Sequence, residues 1–96
     1  EVCYMPRFDI GKFVMTKGVA SEIDKNPNYK MELLDCLTRY LNCDWGNLCD
    51  TDKQLNEDAM KNDERILARY NTSCGDIYII TESDRSYTTM LYVGEY

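Results

Sequence analysis

Histidine is absent from this chain of 96 residues, and with it the commonest general base of enzyme sites. Seventeen Asp and Glu residues remain, but no two stand at a spacing that identifies a catalytic pair. The chain has no Gly-rich phosphate loop, no HExxH pair and no nucleophile elbow. A domain of this length encloses little pocket volume. No catalytic residue is assigned, and a non-enzymatic protein is expected. Five cysteines, Cys3, Cys36, Cys43, Cys49 and Cys74, are an odd count without a CxxC pair. With no histidine to complete a zinc site, they read as reduced thiols that pack as small hydrophobes. Cys43 and Cys49 flank a tight turn and form the one pair worth testing. No metal and no cofactor is expected.

Charge carries more information. The net charge is −6. Between Asp44 and Asp63, six acids (Asp44, Asp50, Asp52, Glu57, Asp58 and Asp63) stand against Lys53 and Lys61. Two-thirds of the excess negative charge therefore falls on one turn and helix. Such a row serves either as a solvated face that keeps the protein soluble or as a partner-binding surface. In the second reading, Asp44, Asp50, Asp52, Glu57 and Asp58 dock on the basic surface of a host protein or nucleoprotein complex. That encounter would be electrostatically steered and salt-sensitive. Direct nucleic-acid binding is not expected, because no basic stripe exists to neutralise phosphates.

A second candidate cluster is Glu82, Asp84 and Arg85, within Thr81–Ser86 and next to Thr88 and Thr89. It accounts for itself as a tight turn in which Asp84 and Ser86 bond backbone N–H groups and Arg85 pairs with Glu82 or Asp84. As a partner-binding tip, it would use a loop held on a rigid sheet. The tyrosines Tyr78, Tyr87, Tyr92 and Tyr96 could extend that surface, since tyrosine is enriched among interface anchors.

The elements that must position these groups follow from periodicity and punctuation. Phe8 to Thr16 reads as a first strand with a bend at Gly11. Val19 to Lys25 reads as a short helix. Asn26-Pro27 is a helix start, and Leu33, Leu34, Leu37, Tyr40 and Leu41 repeat as the buried stripe of a helix from Pro27 to about Asn42. Asp35 and Arg39 form a favourable i,i+4 pair on its outer side. Gly46 turns the chain, and Trp45 is expected to plug the end of the core. A second long helix follows from Asp50 to Asn62, with Thr51 and Gln54 at capping-box spacing and Leu48, Leu55, Ala59 and Met60 as a thin apolar stripe. The last third alternates as a meander. Its strands are Arg65–Tyr70 (Ile66, Ala68 and Tyr70 on one face), Asp76–Thr81 and Ser86–Val93. Short connections imply antiparallel neighbours.

The expected fold class is α+β, with a three- to four-stranded antiparallel sheet and two to three helices packed on one face. One domain spans 1–96, with residues 1–7 as a flexible extension. A hydrophobic content of 44% argues for a folded domain. No run approaches the length of a membrane helix. Glu1 to Pro6 lacks a basic region followed by an apolar run, so no signal peptide is expected. A cytoplasmic monomer or homodimer without membrane contact follows as the expectation.

Several strings also carry a resemblance. They are Phe8-Asp9-Ile10-Gly11-x-x-Val14-Met15-Thr16-x-Gly18-Val19, then Asp44-Trp45-Gly46-x-Leu48-Cys49-x-x-Asp52-Lys53-x-x-Asn56, and Arg65-Ile66-x-Ala68-x-Tyr70. Further on stands Ile77-Tyr78-Ile79-Ile80-Thr81-Glu82-x-Asp84-Arg85-Ser86-x-Thr88-Thr89, with Glu95-Tyr96 at the end. Together they resemble a family of small bacterial proteins carried on plasmids, prophages and other mobile elements, often labelled plasmid-related protein or restriction-enzyme subunit. The resemblance covers nearly the whole chain. It implies a mobile-element setting, where small acidic inhibitors of host defences, anti-CRISPR proteins among them, are common. The expected function is a protein-binding inhibitor of a host CRISPR or restriction complex. A generic interaction or regulatory module, monomeric or homodimeric, is the alternative, and an enzyme or small-ligand binder using Glu82, Asp84 and Arg85 is a third.

Overall fold

A computed structural model describes residues 8–96; the extension expected over residues 1–7 lies outside them. The order is β1 (Lys12–Met15), α1 (Lys17–Lys25), α2 (Tyr29–Leu41), α3 (Asp50–Asn62), β2 (Ile66–Tyr70), β3 (Ile77–Thr81) and β4 (Tyr87–Tyr92). A short 3-10 turn, Val93–Glu95, follows. The α+β class, the four-stranded sheet and the helices packed against it agree with the sequence reading. β2, β3 and β4 form the antiparallel meander. β1 joins the far side of β4 in parallel, giving the order β1-β4-β3-β2 and a mixed sheet. The short-connection rule binds only strands adjacent in sequence; three helices separate β1 from β2, so nothing local fixed its direction.

Alternation in the meander decides which side chains meet the helices. Ile66, Ala68, Tyr70, Ile77, Ile79, Thr88 and Met90 form one buried face. Against it lie Val19 from α1, and Tyr29, Leu33, Cys36 and Tyr40 from α2. The stripe of α2 is thus rotated from the expected one. Tyr29 and Cys36 take the central places, Leu37 and Leu41 are half-buried and Leu34 is exposed. Two tyrosines reach deeper than leucine and end in hydroxyls that find partners, which sets the helix's rotation. Asn26-Pro27 forms the turn before α2 rather than its first residues, with Asn26 C=O accepting from Tyr29 N–H at 2.9 Å.

A chain of hydroxyls runs through this core. Tyr40 Oη meets Thr81 Oγ1 at 2.6 Å, Thr81 meets Thr88 at 2.7 Å, and Thr88 donates to Ile10 C=O at 2.7 Å. Tyr29 bonds Thr72 at 2.7 Å and receives the Tyr92 hydroxyl at 3.2 Å. Buried polar groups are tolerated when paired in this way.

Cys49 carries a free, exposed thiol, so the Cys43–Cys49 pair does not form. Desolvation pushes the buried Cys36 thiol up to about 11. An acid group whose pKa rises on folding favours the fold while protonated, so its contribution is whole below the unfolded value and fades as pH climbs to the folded one. Near pH 8, a thiol reagent is expected to label Cys49 and Cys74 quickly and Cys36 only on unfolding. Between pH 9 and 11, Cys36 labelling should accelerate as stability falls. Mass spectrometry of labelled peptides across this range checks both.

Candidate interaction surface

α3 lies along β2 at the sheet's edge and holds it with one side chain. Asn56 Nδ2 donates to Leu67 C=O at 2.7 Å, and Leu67 N–H donates to Asn56 Oδ1 at 3.2 Å. The next outward-pointing residue is met by the preceding turn: Asn47 N–H donates to Arg69 C=O at 2.7 Å, and Arg69 N–H reaches Trp45 C=O at 3.4 Å. Gly46, at φ +73°, makes this approach possible, because a side chain there would strike the Arg69 carbonyl. Asn56 and Ala59 are the buried residues of α3, while Leu55, expected inside, is 59% exposed. The helix faces a sheet edge, whose free groups are polar, so an asparagine rather than a leucine occupies its contact line. Cys49 stands at the N-cap with no side-chain bond, and the Thr51–Gln54 capping box does not form.

The row of acids on this helix is divided among different tasks. Asp44 is paired with Arg39 at 2.8 Å, and that bond holds its carboxyl below the usual range. The expected Asp35–Arg39 pair gives way to this one, because the turn after α2 brings Asp44 back over Arg39. Glu57 accepts the Trp45 indole N–H at 2.8 Å. Asp52 lines a cleft on the other side of the helix, with Leu48, Leu55, Asn56, Arg65 and Leu67. Asp50 and Asp58 stay on the outer surface, where Gln54 donates to Asp58 at 3.2 Å.

The β3–β4 turn is likewise tied into the fold. Arg85, at φ +61°, sends its guanidinium to the carbonyls of Ala59 at 3.0 Å, Glu64 at 2.7 Å and Glu82 at 3.1 Å. A cation at the carbonyl end of α3 also suits the helix dipole. Arg85 therefore joins the turn to the helix through backbone carbonyls instead of pairing with the carboxylate of Glu82 or Asp84. Asp84 accepts Ser86 N–H at 3.0 Å, as turn chemistry predicts, and bonds from Ser86 lower its pKa. Glu82 is half-buried at the end of β3.

The residues brought together are those of the sheet face opposite α1 and α2. The register places Leu67 and Arg69 of β2, Tyr78 and Ile80 of β3, Tyr87, Thr89 and Leu91 of β4, and Val14 of β1 on it. Ile80 and Leu91 form a buried centre. Around them the Tyr96 ring lies 5.5 Å from Tyr78, with the Arg65 guanidinium 5.4 Å from the Tyr96 centroid. Arg69 is bonded to Asp76 at 2.8 Å and sits 5.9 Å from the Tyr78 centroid. Tyr96 is 64% exposed and Tyr87 43%. The cleft beside α3, about 310 Å³ in volume, continues this face through Leu67 and Arg65 and ends on Leu55. Tyr92, grouped with these tyrosines by position, turns the other way to Tyr29. Arg65, Arg69 and Leu67 were not marked as site residues in the sequence, and Leu55 was assigned to the buried stripe of α3. The second phase of the β2 alternation was the available signal.

No group of His, Cys, Asp and Glu side chains able to hold a metal occurs among the described residues. No helix among them is long and apolar enough to cross a membrane. Comparison with protein-family models, curated proteins and solved structures returns no match.

Proposed function

We propose that this chain is a non-enzymatic protein-binding protein that occludes a surface of its partner through the sheet face opposite its helices. The supporting observation is the grouping of Tyr78, Tyr87, Tyr96, Arg65 and Arg69 around Ile80 and Leu91, continued by Leu55. Tyrosine and arginine are the residue types that anchor protein interfaces. Asp76 offsets the charge of Arg69, and Asp52 shares the cleft with Arg65. A protein surface with apolar spots and both charge signs suits this mixture better than a phosphate backbone does.

The resemblance to mobile-element proteins supplies the setting: an inhibitor of a host defence complex, of CRISPR or restriction type, acting in the cytoplasm. Asp50 and Asp58 fit a steering role, raising the encounter rate with a basic partner without forming the seat itself. The test is capture from host lysate alongside protection of a plasmid or phage. A nuclease or surveillance complex is the expected catch. Leu55→Arg with Tyr96→Ala should abolish capture and protection, whereas Asp50→Lys with Asp58→Lys should weaken capture mainly at low salt. Loss of activity in the charge-reversed pair together with full activity in the sheet-face pair would move the seat to the acidic helix. Failure to capture such a complex, with no protection, would remove the reading.

A further inference from the structure

The two edges of the sheet are treated differently. On β2, the outward N–H and C=O of Leu67 are taken by Asn56, and those of Arg69 by Asn47 and Trp45. On β1, Lys12 N–H donates to Ser86 C=O and Thr16 N–H to Met90 C=O, both at 3.1 Å. The alternation of a parallel ladder then turns the N–H and C=O of Phe13 and Met15 away from β4. No described residue pairs with them. Open edges invite unwanted strand pairing, and folds usually cover or charge them. Among the described residues, one edge is closed by dedicated bonds and the other is left available.

Beside the open edge lies a groove of about 170 Å³, lined by Phe13, Met15, Ile23, Leu33, Leu34 and Leu37, with Met90 at its floor and Lys30 at its rim. It exists because α2 turns Tyr29, Leu33, Cys36 and Tyr40 into the core and leaves Leu34 and Leu37 at its margin. The surplus of the apolar stripe faces the groove, and Leu34 and Met15 remain exposed. Lys30 is the charged residue of the lining, in a chain of net charge −6.

We infer that the β1 edge and this groove accept an extended segment of a partner protein as an added strand, with alternate apolar side chains in the groove and a carboxylate at Lys30. Main-chain bonds to Phe13 and Met15 would supply affinity, and the groove would supply selectivity. A second copy of this chain fits less well, since its own β1 offers Lys12, followed by Lys17, where the groove calls for an acid. This site is separate from the sheet face proposed above, and neither depends on the other.

The probe is a displayed library of random eight-residue peptides selected on the whole chain. Enriched sequences should alternate apolar and polar residues and carry Asp or Glu. Their binding should slow hydrogen exchange at the Phe13 and Met15 amides. Lys30→Glu should weaken binding by about tenfold, the scale of one lost charge pair, and Leu34→Arg should block the groove without disturbing the core. The inference is overturned by any of three results. Enrichment could fail, or yield peptides that leave these amides unprotected. Binding could be indifferent to Lys30→Glu. The amides could already be protected in the free chain: protection lost on dilution would assign the edge to a second copy, and protection lost on deleting residues 1–7 would assign it to this chain's own N-terminal segment.

Discussion

Trp45→Ala is expected to lower the unfolding free energy by about 3–5 kcal/mol, the range for emptying a buried tryptophan site. The indole is 3% exposed. It packs edge-on against Tyr40, with ring centroids 5.6 Å apart, and against Phe8 at 5.9 Å. These rings close the end of the core where α2 gives way to the turn before α3. Removing the indole also strips Glu57 of its N–H partner, so part of the loss is polar. Against a total stability of about 5–15 kcal/mol for a domain of this kind, the variant stands near the limit of folding. A fall in Tm on the order of 20 °C is expected. Trp45→Phe keeps a ring and gives up the N–H bond, so it should cost much less. Thermal unfolding of the three proteins checks the order. An alanine variant as stable as the parent would mean that the indole contributes no packing.

Asn56→Leu should cost on the order of 3 kcal/mol, although leucine has nearly the same size and joins an apolar neighbourhood. Asn56 answers both the N–H and the C=O of Leu67 at the outer edge of β2. Leucine leaves both without partners beneath α3, and a buried polar group stripped of its partner costs about 1–3 kcal/mol. Asn56→Asp separates this cause from a packing change. An ionised carboxylate still accepts from the Leu67 N–H but faces its C=O with nothing to donate. Protonation restores a donor. Its folded pKa should therefore exceed its unfolded one, and the variant should gain stability relative to the parent as pH falls through the folded value and on towards the unfolded one. Asn56→Leu should show no such gain. Denaturant unfolding of both variants at neutral and mildly acid pH tests this. Equal pH responses would show that the amide's paired bonds are not what holds α3 to the sheet.

The elements themselves were legible because each rests on local chemistry. α3 runs from Asp50 to Asn62 as its composition and punctuation imply, and Ile66, Ala68 and Tyr70 share a face because strand side chains alternate. Trp45 is buried, as a lone tryptophan beside a glycine turn suggested. The candidate acids were legible as a row in sequence but not as a surface. One helical turn separates an outer position from a cleft or a bond to tryptophan, so Asp50 and Asp58 stay on the outer surface while Asp52, also exposed, borders the cleft and Glu57 is bonded to Trp45. Arg85 read as a turn residue with two carboxylates nearby. Its actual partners are carbonyls of Ala59 and Glu64, far enough away in sequence that only folding brings them within reach.

Composition, alternation and turn residues thus determined an α+β chain with a helical first half and a three-stranded meander, since those features act over a few residues. Tertiary structure alone decided that β1 runs parallel to β4, that Asn56 closes β2 while no described residue closes β1, and which face of the sheet the helices leave uncovered. Each of these depends on groups distant in the chain competing for the same hydrogen bonds and the same apolar area. A periodic pattern states how many faces are apolar; it does not state which neighbour will cover each one.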